Sequence, residues 1–520
     1  MPALKLCFSW FSLLPAPPRR APAAARSPLV SLSLSGFGLL LIVCLVACAP
    51  TATEDGEAPS SESSPSIAPS EDTSEADTVS DDVLSGEADA PRPGKWRRAR
   101  EPLPVPGSPD SPEAIAEAEK RAELSVLPYL QGYREAGDQP VITAHDRKAT
   151  APGLNLYTSG HAAEAVLMTS SGQVLHRWRY PLRRVWPELY EERPEVHQLE
   201  YWRRAYLYPD GRLLAIFEGL GLIQLDAESR LLWAFRSGAH HDLFVRFPGD
   251  SEREEIWVLD RRGQLIPRLH STEGILEDLV TVLDAQGQVK RQISLLEAFE
   301  SSPYASWVDE RLVATGDIFH TNTVKRLEGP AARRLAQEIP AFTEGNLLLS
   351  VLQFSALAIL DPQTESIVWA QRGPWRKQHE PTLTPRGGVL LFDNVGPGRV
   401  AGAPRSRVLE FDPRQPLPGE GEATSQLLFS YGGTADVPLF SRTLSTATRL
   451  PNGNTLITES ENGRAFELTP EKRIVWEMYN PHRAGEQNEL VATLFHVERL
   501  PGDFSFGFKF RYSDYRGDEP

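Results

Sequence analysis

Cysteine is nearly absent from this 520-residue chain: the three present are Cys7, Cys44 and Cys48. Everything after residue 48 therefore lacks a thiol for a disulfide, a cysteine-ligated metal or a cysteine nucleophile. Basic residues are missing from 49–91, where 12 acidic residues stand among Ser, Thr, Ala and Pro. Such a stretch buries too little apolar surface to fold, and its charges repel it into an extended tether. Acidic residues are in turn missing from 1–47, which carry Lys5, Arg19, Arg20 and Arg26 ahead of the apolar run GFGLLLIVCLVA. That pattern reads as a secretory leader rather than a stable membrane span. With leader and tether set aside the remainder is only mildly acidic and has no basic face of the kind a nucleic acid requires, so no nucleic-acid partner is expected. The short basic patch GKWRRAR at 94–100 reads as solvated or membrane-proximal linker. No Gly-x-x-x-x-Gly-Lys-Ser/Thr phosphate loop occurs, which argues against a nucleotide-dependent transferase.

The leader ends in Leu45-Val46-Ala47-Cys48, which resembles a bacterial lipobox. The resemblance implies acylation of Cys48 and a chain anchored through lipid to the extracytoplasmic side of a bacterial membrane, periplasmic or cell-surface. Four segments follow: a lipoprotein-type signal peptide over 1–47, an anchored acidic disordered linker over 48–110, an N-terminal helical segment over 111–149, and a β-rich domain over 150–520. The helical expectation rests on Ser111-Pro112-Glu113, an N-cap, a first-turn proline and an acid at the positive helix end, followed by AIAEAEKRAEL.

Beyond that the chain changes to short apolar runs broken by turn dipeptides, the signature of strands. PDGRLLAIF (209–217), TEGNLLLSV (343–351), PRGGVLLFD (385–393) and PNGNTLITE (451–459) each set a glycine turn directly before a β-rich run. A second signature, strand, polar turn and strand, closes on Trp178, Trp233, Trp369 or Trp476, and more loosely on Tyr431. Two hairpins per unit make a four-stranded antiparallel sheet. Units that cannot bury their faces alone must stack on one another. The expected fold is an all-β propeller of six blades, with five or seven also compatible with the spacing. The tryptophans are expected as packing between blades, and ISLLEAF (293–299) and PAARRLAQEI (330–339) as helical insertions.

In a propeller the innermost strand of every blade lines the axis, so equivalent positions converge although far apart in sequence. His379 lies eight positions before Gly387, and His241 eight before Gly249. The same offset from Gly211 and Gly453 gives Arg203 and Ser445, while His320 lies nine before Gly329. His241, His320 and His379 are thus the candidate functional cluster. A polar, water-lined channel and a histidine-only metal site are the competing readings. His145, His161, His176, His197, His270 and His482 are read as packing residues.

The motifs DIFHTNTV, IVWAQRGPWRKQHEPTL, LLFDN, SRVLEFDP and LPNGNTLITESENGRAFELTPEKRIVWE resemble the bacterial arylsulfotransferase family that needs no nucleotide sulfate donor. The resemblance runs over roughly 150–500. It implies a six-bladed propeller whose channel histidine is transiently sulfated, ping-pong exchange between an aryl sulfate and a phenol, and no cofactor or metal. Carried onto this sequence, it implies His379 of Gln378-His379 as the sulfated residue, with His320, Asn322 and His241, in preference to its neighbour His240, donating hydrogen bonds or protons. The family's arginine would fall within 350–353, where none occurs. Arg203 from another blade is the candidate substitute. The alternative is a non-catalytic propeller lipoprotein, a binding or scaffold module that kept the fold and lost the reaction. A quinone-dependent dehydrogenase propeller fits less well, because its vicinal cysteines have no counterpart in the β-rich region.

Overall fold

The computed structural model describes residues 132–511 apart from 312–315, 397–398, 401–402, 416, 418–426, 435 and 486. Cys48, the leader, the tether and residues 111–131 lie outside the described residues. Among the described residues no helix is long and apolar enough to cross a membrane.

Among the described residues the β-rich runs form six sheets, each built on four antiparallel strands; Gly316–Asp317 adds a parallel fifth strand to the third sheet and Ile142–His145 a fifth strand to the sixth. Their axial strands are Leu494–Arg499, Arg204–Leu207, Leu243–Arg246, Thr321–Arg326, His379–Leu383 and Thr446–Arg449, for sheets 1 to 6 respectively. From sheet 2 to sheet 6 each axial strand lies against the next; Asn155–Ser159 of sheet 1 lies against the axial strand of sheet 2, and Thr455–Glu459 of sheet 6 lies against Leu494–Arg499, so the ring closes. This is the expected all-β propeller. Closure is achieved by the last strand: Leu494–Arg499 pairs with Asn155–Ser159 and completes sheet 1 from the far end of the chain.

The second strands, LLAIF (213–217), LLLSV (347–351), VLLFD (389–393) and TLITE (455–459), are buried along their whole length. Each sheet is covered on both faces by its neighbours, which is why these runs are almost continuously apolar rather than alternating. The outer strand Leu231–Arg236, at the rim, alternates half-buried and exposed. The turns before the second strands place Gly211, Gly345, Gly387 and Gly453 at φ of 90°, 103°, 90° and 90°, a conformation where any Cβ would be strained.

The recurring tryptophans do more than fill space. Trp178 of sheet 1 donates its indole N–H to the Gly211 carbonyl of sheet 2 at 3.0 Å. Trp233 of sheet 2 reaches Ala285 O of sheet 3 at 3.1 Å, and Trp476 of sheet 6 reaches Ser170 O of sheet 1 at 2.7 Å. Each ties an outer strand to a turn of the next sheet.

The expected insertions are present as helices Leu295–Glu300 and Gly329–Leu335. The expected helical segment over 111–149 is not helical in its described part. Gly132–Glu135 and Ile142–His145 are strands, the first paired with Leu490–Ala492 and the second added outside Ile474–Tyr479 of sheet 6. The apolar residues of this stretch satisfy their backbone on an open sheet edge, a partner that local propensity cannot reveal.

Candidate active site

The four positions related by the eight-residue offset, and His320 at nine, take one structural place. Arg203 and His320 directly precede the axial strands of sheets 2 and 4, His241 stands two residues before that of sheet 3, His379 opens that of sheet 5, and Ser445 directly precedes that of sheet 6. His241, His320 and Ser445 sit at φ of 53°, 49° and 75°, unusual for non-glycine residues and sustained only where the surroundings enforce it. Here carboxylates do part of that work. Glu218 accepts the backbone N–H of His241 at 3.1 Å, and Asp317 accepts that of His320 at 2.7 Å.

This register brings the three histidines together at one end of the axial strands. The His241 ring centroid lies 5.1 Å from that of His320 and 6.4 Å from that of His379. His240 packs edge-on to His241 at 5.1 Å.

Their protonation states differ, and hydrogen bonds assign them. Asn394 donates its amide N–H groups to Ser441 O and Leu444 O, both at 2.8 Å, so its oxygen must face the other way. That oxygen lies 2.8 Å from His379 Nδ1, which also meets Lys377 O at 2.9 Å. Two acceptors require a proton on Nδ1. Burial, and after it the charge of Arg203, holds His379 down at about 3. The ring is therefore neutral with its lone pair on Nε2, and that buried nitrogen has no hydrogen-bond partner. Leaving a buried acceptor unmet costs about 1–3 kcal/mol.

His320 is the opposite case. Burial works against its charge, but the carboxylate of Asp317, 2.6 Å from Nδ1, outweighs burial and holds the imidazolium above the ordinary histidine range. Burial and the charge of Asp317 push the neighbouring Asp278 carboxyl up to about 7. One carboxylate thus carries the charge that serves His320.

For His241, burial and then Arg203 and His240 pull the ring well below its ordinary value. Its Nδ1 stands 2.8 Å from Nδ1 of His240, whose Nε2 faces Asp260 O at 3.4 Å. With the His240 proton on Nε2, His241 must donate from Nδ1, leaving its own Nε2 as an acceptor. At rest, then, His241 Nε2 is a hydrogen-bond acceptor.

Two more of the expected site residues hold backbone between sheets 4 and 5. Asn322 donates its amide to Gln378 O at 2.8 Å, and Ser350 donates its hydroxyl to the same carbonyl at 3.1 Å. Gln378 donates in turn to Val351 O and Ala356 O at 3.2 and 3.0 Å. Asn322 and Gln378 are therefore bolts that fasten the start of sheet 5 to sheet 4. Arg203 is buried beside Glu218, and its charge acts on both His241 and His379.

Sequence reasoning missed Asn394, Asp317, Glu218 and Arg261. Arg261, buried on the second strand of sheet 3, lies 3.7 Å from Glu218 and acts electrostatically on His240, His241 and His320. Asn394 and Asp317 stood inside the quoted motifs; a polar residue closing the apolar run VLLFD was the available signal for the former.

Beside the histidines lie four charges, Arg204, Asp242 and Glu380 buried and Lys325 half-buried. Arg204 meets Asp242 at 2.7 Å and Glu380 at 2.6 Å, while Lys325 meets Asp242 at 2.9 Å and Glu380 at 2.8 Å. Asp242 follows His241 and Glu380 follows His379, so this cage sets the spacing of the two rings beside it.

The propeller thus carries, at one end of its axial strands, a neutral imidazole whose buried Nε2 is unbonded, beside an imidazolium and two arginines. Residues 240–481 match the family model described as arylsulfotransferase (ASST). The matched span contains every histidine of the cluster together with Asn322, Gln378 and Asn394. No curated protein matches the chain. Among solved structures it is similar to a protein of unknown function from Bacteroides caccae, at 11% identity over 67% of this chain and 98% of that one, TM-score 0.40. It is also similar to the β-propeller domain of Myceliophteria thermophila Cps50 (Swd1), at 12% over 67% and 88%, TM-score 0.35, and to a streptogramin B lyase, at 11% over 72% and 98%, TM-score 0.36.

Proposed function

We propose that this protein moves a sulfuryl group from an aryl sulfate to a phenol by ping-pong exchange through sulfated His379. The observation that carries the reading is the bare, buried Nε2 of His379. A neutral imidazole nitrogen whose lone pair is not engaged in a hydrogen bond is a competent nucleophile, and a covalent intermediate divides one transfer into two.

In the first half-reaction Nε2 attacks sulfur in line with the departing oxygen. The nitrogen–sulfur bond forms, the aryl oxygen–sulfur bond breaks, and the phenolate leaves with the electron pair and takes a proton from His320. Arg203 and Arg261 supply positive charge for the sulfuryl oxygens. As in phosphoryl transfer, positioning and electrostatics dominate a loose transition state. In the second half-reaction the acceptor phenol loses its proton to His320, now neutral, with His241 Nε2 as a second acceptor site. The phenol oxygen displaces His379 from sulfur and the starting protonation is restored. The Asn394 and Lys377 oxygens hold the Nδ1 proton throughout. In keeping with the leader and Cys48, the proposed setting is the extracytoplasmic side of a bacterial membrane, with the chain held by lipid.

The test is to incubate purified protein with 4-nitrophenyl sulfate, with and without a phenol. Release of 4-nitrophenolate and the added mass of one sulfuryl group on the peptide containing His379, both lost in His379→Ala, are expected. No release and no adduct across varied aryl sulfates would leave the scaffold reading in its place.

A further inference from the structure

Arg246 and Arg326 close the axial strands Leu243–Arg246 and Thr321–Arg326 of sheets 3 and 4, at the end away from His241 and His320. The strand carries Arg326 about 20 Å from His320 at the usual rise per residue. An open pocket of about 670 Å³, lined by residues of both sheets, lies at this end. Its volume is that of a small-molecule site. Nothing in the proposed reaction uses it.

The lining has an apolar wall. Phe244 and Trp257 are cross-strand partners in sheet 3, and their rings stack with centroids 5.6 Å apart and planes within 13°. Trp257 is buried and donates its indole N–H to Glu255 at 3.2 Å, whereas Phe244 is half-buried and is the ring left to a ligand. Ile339, Pro340 and Ala341, which follow helix Gly329–Leu335, extend the wall.

Four charged residues line the rest: Arg246, Arg326, Glu344 and Asp361. Arg246 donates to Glu255 at 2.7 Å. Glu344 accepts from Arg333 and from the Gly329 N–H, both at 2.7 Å, and Asp361 accepts the Gln363 N–H at 2.8 Å. Among the described residues Arg326 has neither an ion pair nor a side-chain hydrogen bond. Its guanidinium lies over Gly345, where a Cβ would stand 3.6 Å from Nη1. Burial, and after it the charge of Arg246, disfavours the Arg326 cation, and Glu328, Glu344 and Glu255 oppose this less strongly. A half-buried cation so placed lacks an anion.

We propose that this pocket binds a small aromatic monoanion of the carboxylate or sulfonate class, its ring against Phe244 and its acid group on Arg326. One unpaired guanidinium sets the charge at one, and its fork matches two oxygens of an acid group. A flat apolar wall headed by an aromatic ring favours an aromatic body. The site stands apart from the histidines and does not depend on transfer chemistry.

The probe is 2-naphthalenesulfonate, whose carbon–sulfur bond yields no sulfuryl group to a histidine, titrated into the full chain by calorimetry. The parent should bind it, and Arg326→Gln should weaken one site by about tenfold to a hundredfold, the range for a charged hydrogen bond. Arg326→Lys should recover part of that loss, and Phe244→Leu should weaken the same site. Arg203→Gln and His379→Ala, which alter only the axial cluster, should keep it. Methanesulfonate, which has no ring, and 2-naphthol, which has no charge, should each bind at least about tenfold more weakly. Release of 4-nitrophenolate from 4-nitrophenyl sulfate reads the transfer reaction separately, and Arg326→Gln should not change it. Circular dichroism melting shows which variants fold; if Arg326→Gln does not, Arg326→Lys and Phe244→Leu carry the comparison. No binding by the parent, binding that none of the Arg326 and Phe244 variants changes, or binding lost in Arg203→Gln or His379→Ala overturns the proposal. Equal binding of methanesulfonate overturns its aromatic half, and equal binding of 2-naphthol its anionic half.

Discussion

Asn394 turns its amide oxygen, not its nitrogen, toward Nδ1 of His379 at 2.8 Å. Two backbone carbonyls fix that orientation from behind, and the result is that the reactive lone pair of His379 falls on Nε2 in every resting molecule. A side chain 15 residues from the histidine thereby selects its tautomer.

Asn394→Ala is expected to slow formation of the sulfated intermediate by about 10–100-fold, or about 1.4–2.7 kcal/mol of barrier. It also strands two buried carbonyls, so a stability loss of about 1–3 kcal/mol accompanies it. Burst kinetics against thermal melting separates the two, because a purely structural role would move the melting temperature and leave the burst rate constant of the folded fraction unchanged.

The pH profile should be a bell. Activity needs His379 neutral and His320 charged, so the acid limb lies near the depressed value of about 3 and the alkaline limb above the ordinary histidine value of 6.5. Asp317→Asn should move the alkaline limb to lower pH. The stability lost in that variant has a window as well. Asp317, depressed from 3.8 to about 2, stabilises above its unfolded value and loses this as pH falls through about 2. His320, raised from 6.5, stabilises fully below 6.5 and loses this as pH rises through its folded value. Denaturation series of parent and variant should therefore differ most between pH 3.8 and 6.5.

Arg203→Gln is expected to cost about a hundredfold to a thousandfold in turnover, the range for losing one oxyanion donor. It should also shift the acid limb upward, because the charge that helps to keep His379 neutral is gone. Steady-state turnover measured across pH reads both effects.

Glu380→Gln removes one carboxylate from the cage beside the histidines and leaves Arg204 and Lys325 with Asp242 alone. Removing one partner of a buried ion pair costs about 3–5 kcal/mol. Chemical denaturation should show that loss. Turnover of the folded fraction should fall too, since the next residue is His379.

Much of this architecture is legible in the chain. Apolar runs covered on both faces, and turns that demand a left-handed glycine such as Gly387 and Gly453, repeat in a local pattern that any reader can align. The offset from those turns singles out Arg203, His241, His379 and Ser445 along the chain, with His320 one position further from its glycine. Where reading failed, the cause was long range. Ile142–His145 becomes a strand because sheet 6 offers an edge. Asn322 fastens Gln378, and His161 meets His482 only because the two ends of the ring adjoin.

By itself the sequence determined that this is a ring of β-sheets and which side chains face its axis, because strand period and turn chemistry act between neighbours along the chain. Only the tertiary structure decided what those side chains are chemically. The proton on His379 depends on Asn394, on burial, and on the charge of Arg203 three sheets away. That of His320 depends on Asp317 prevailing over burial. Such balances are sums over groups brought together from separate sheets, and no stretch of sequence contains them.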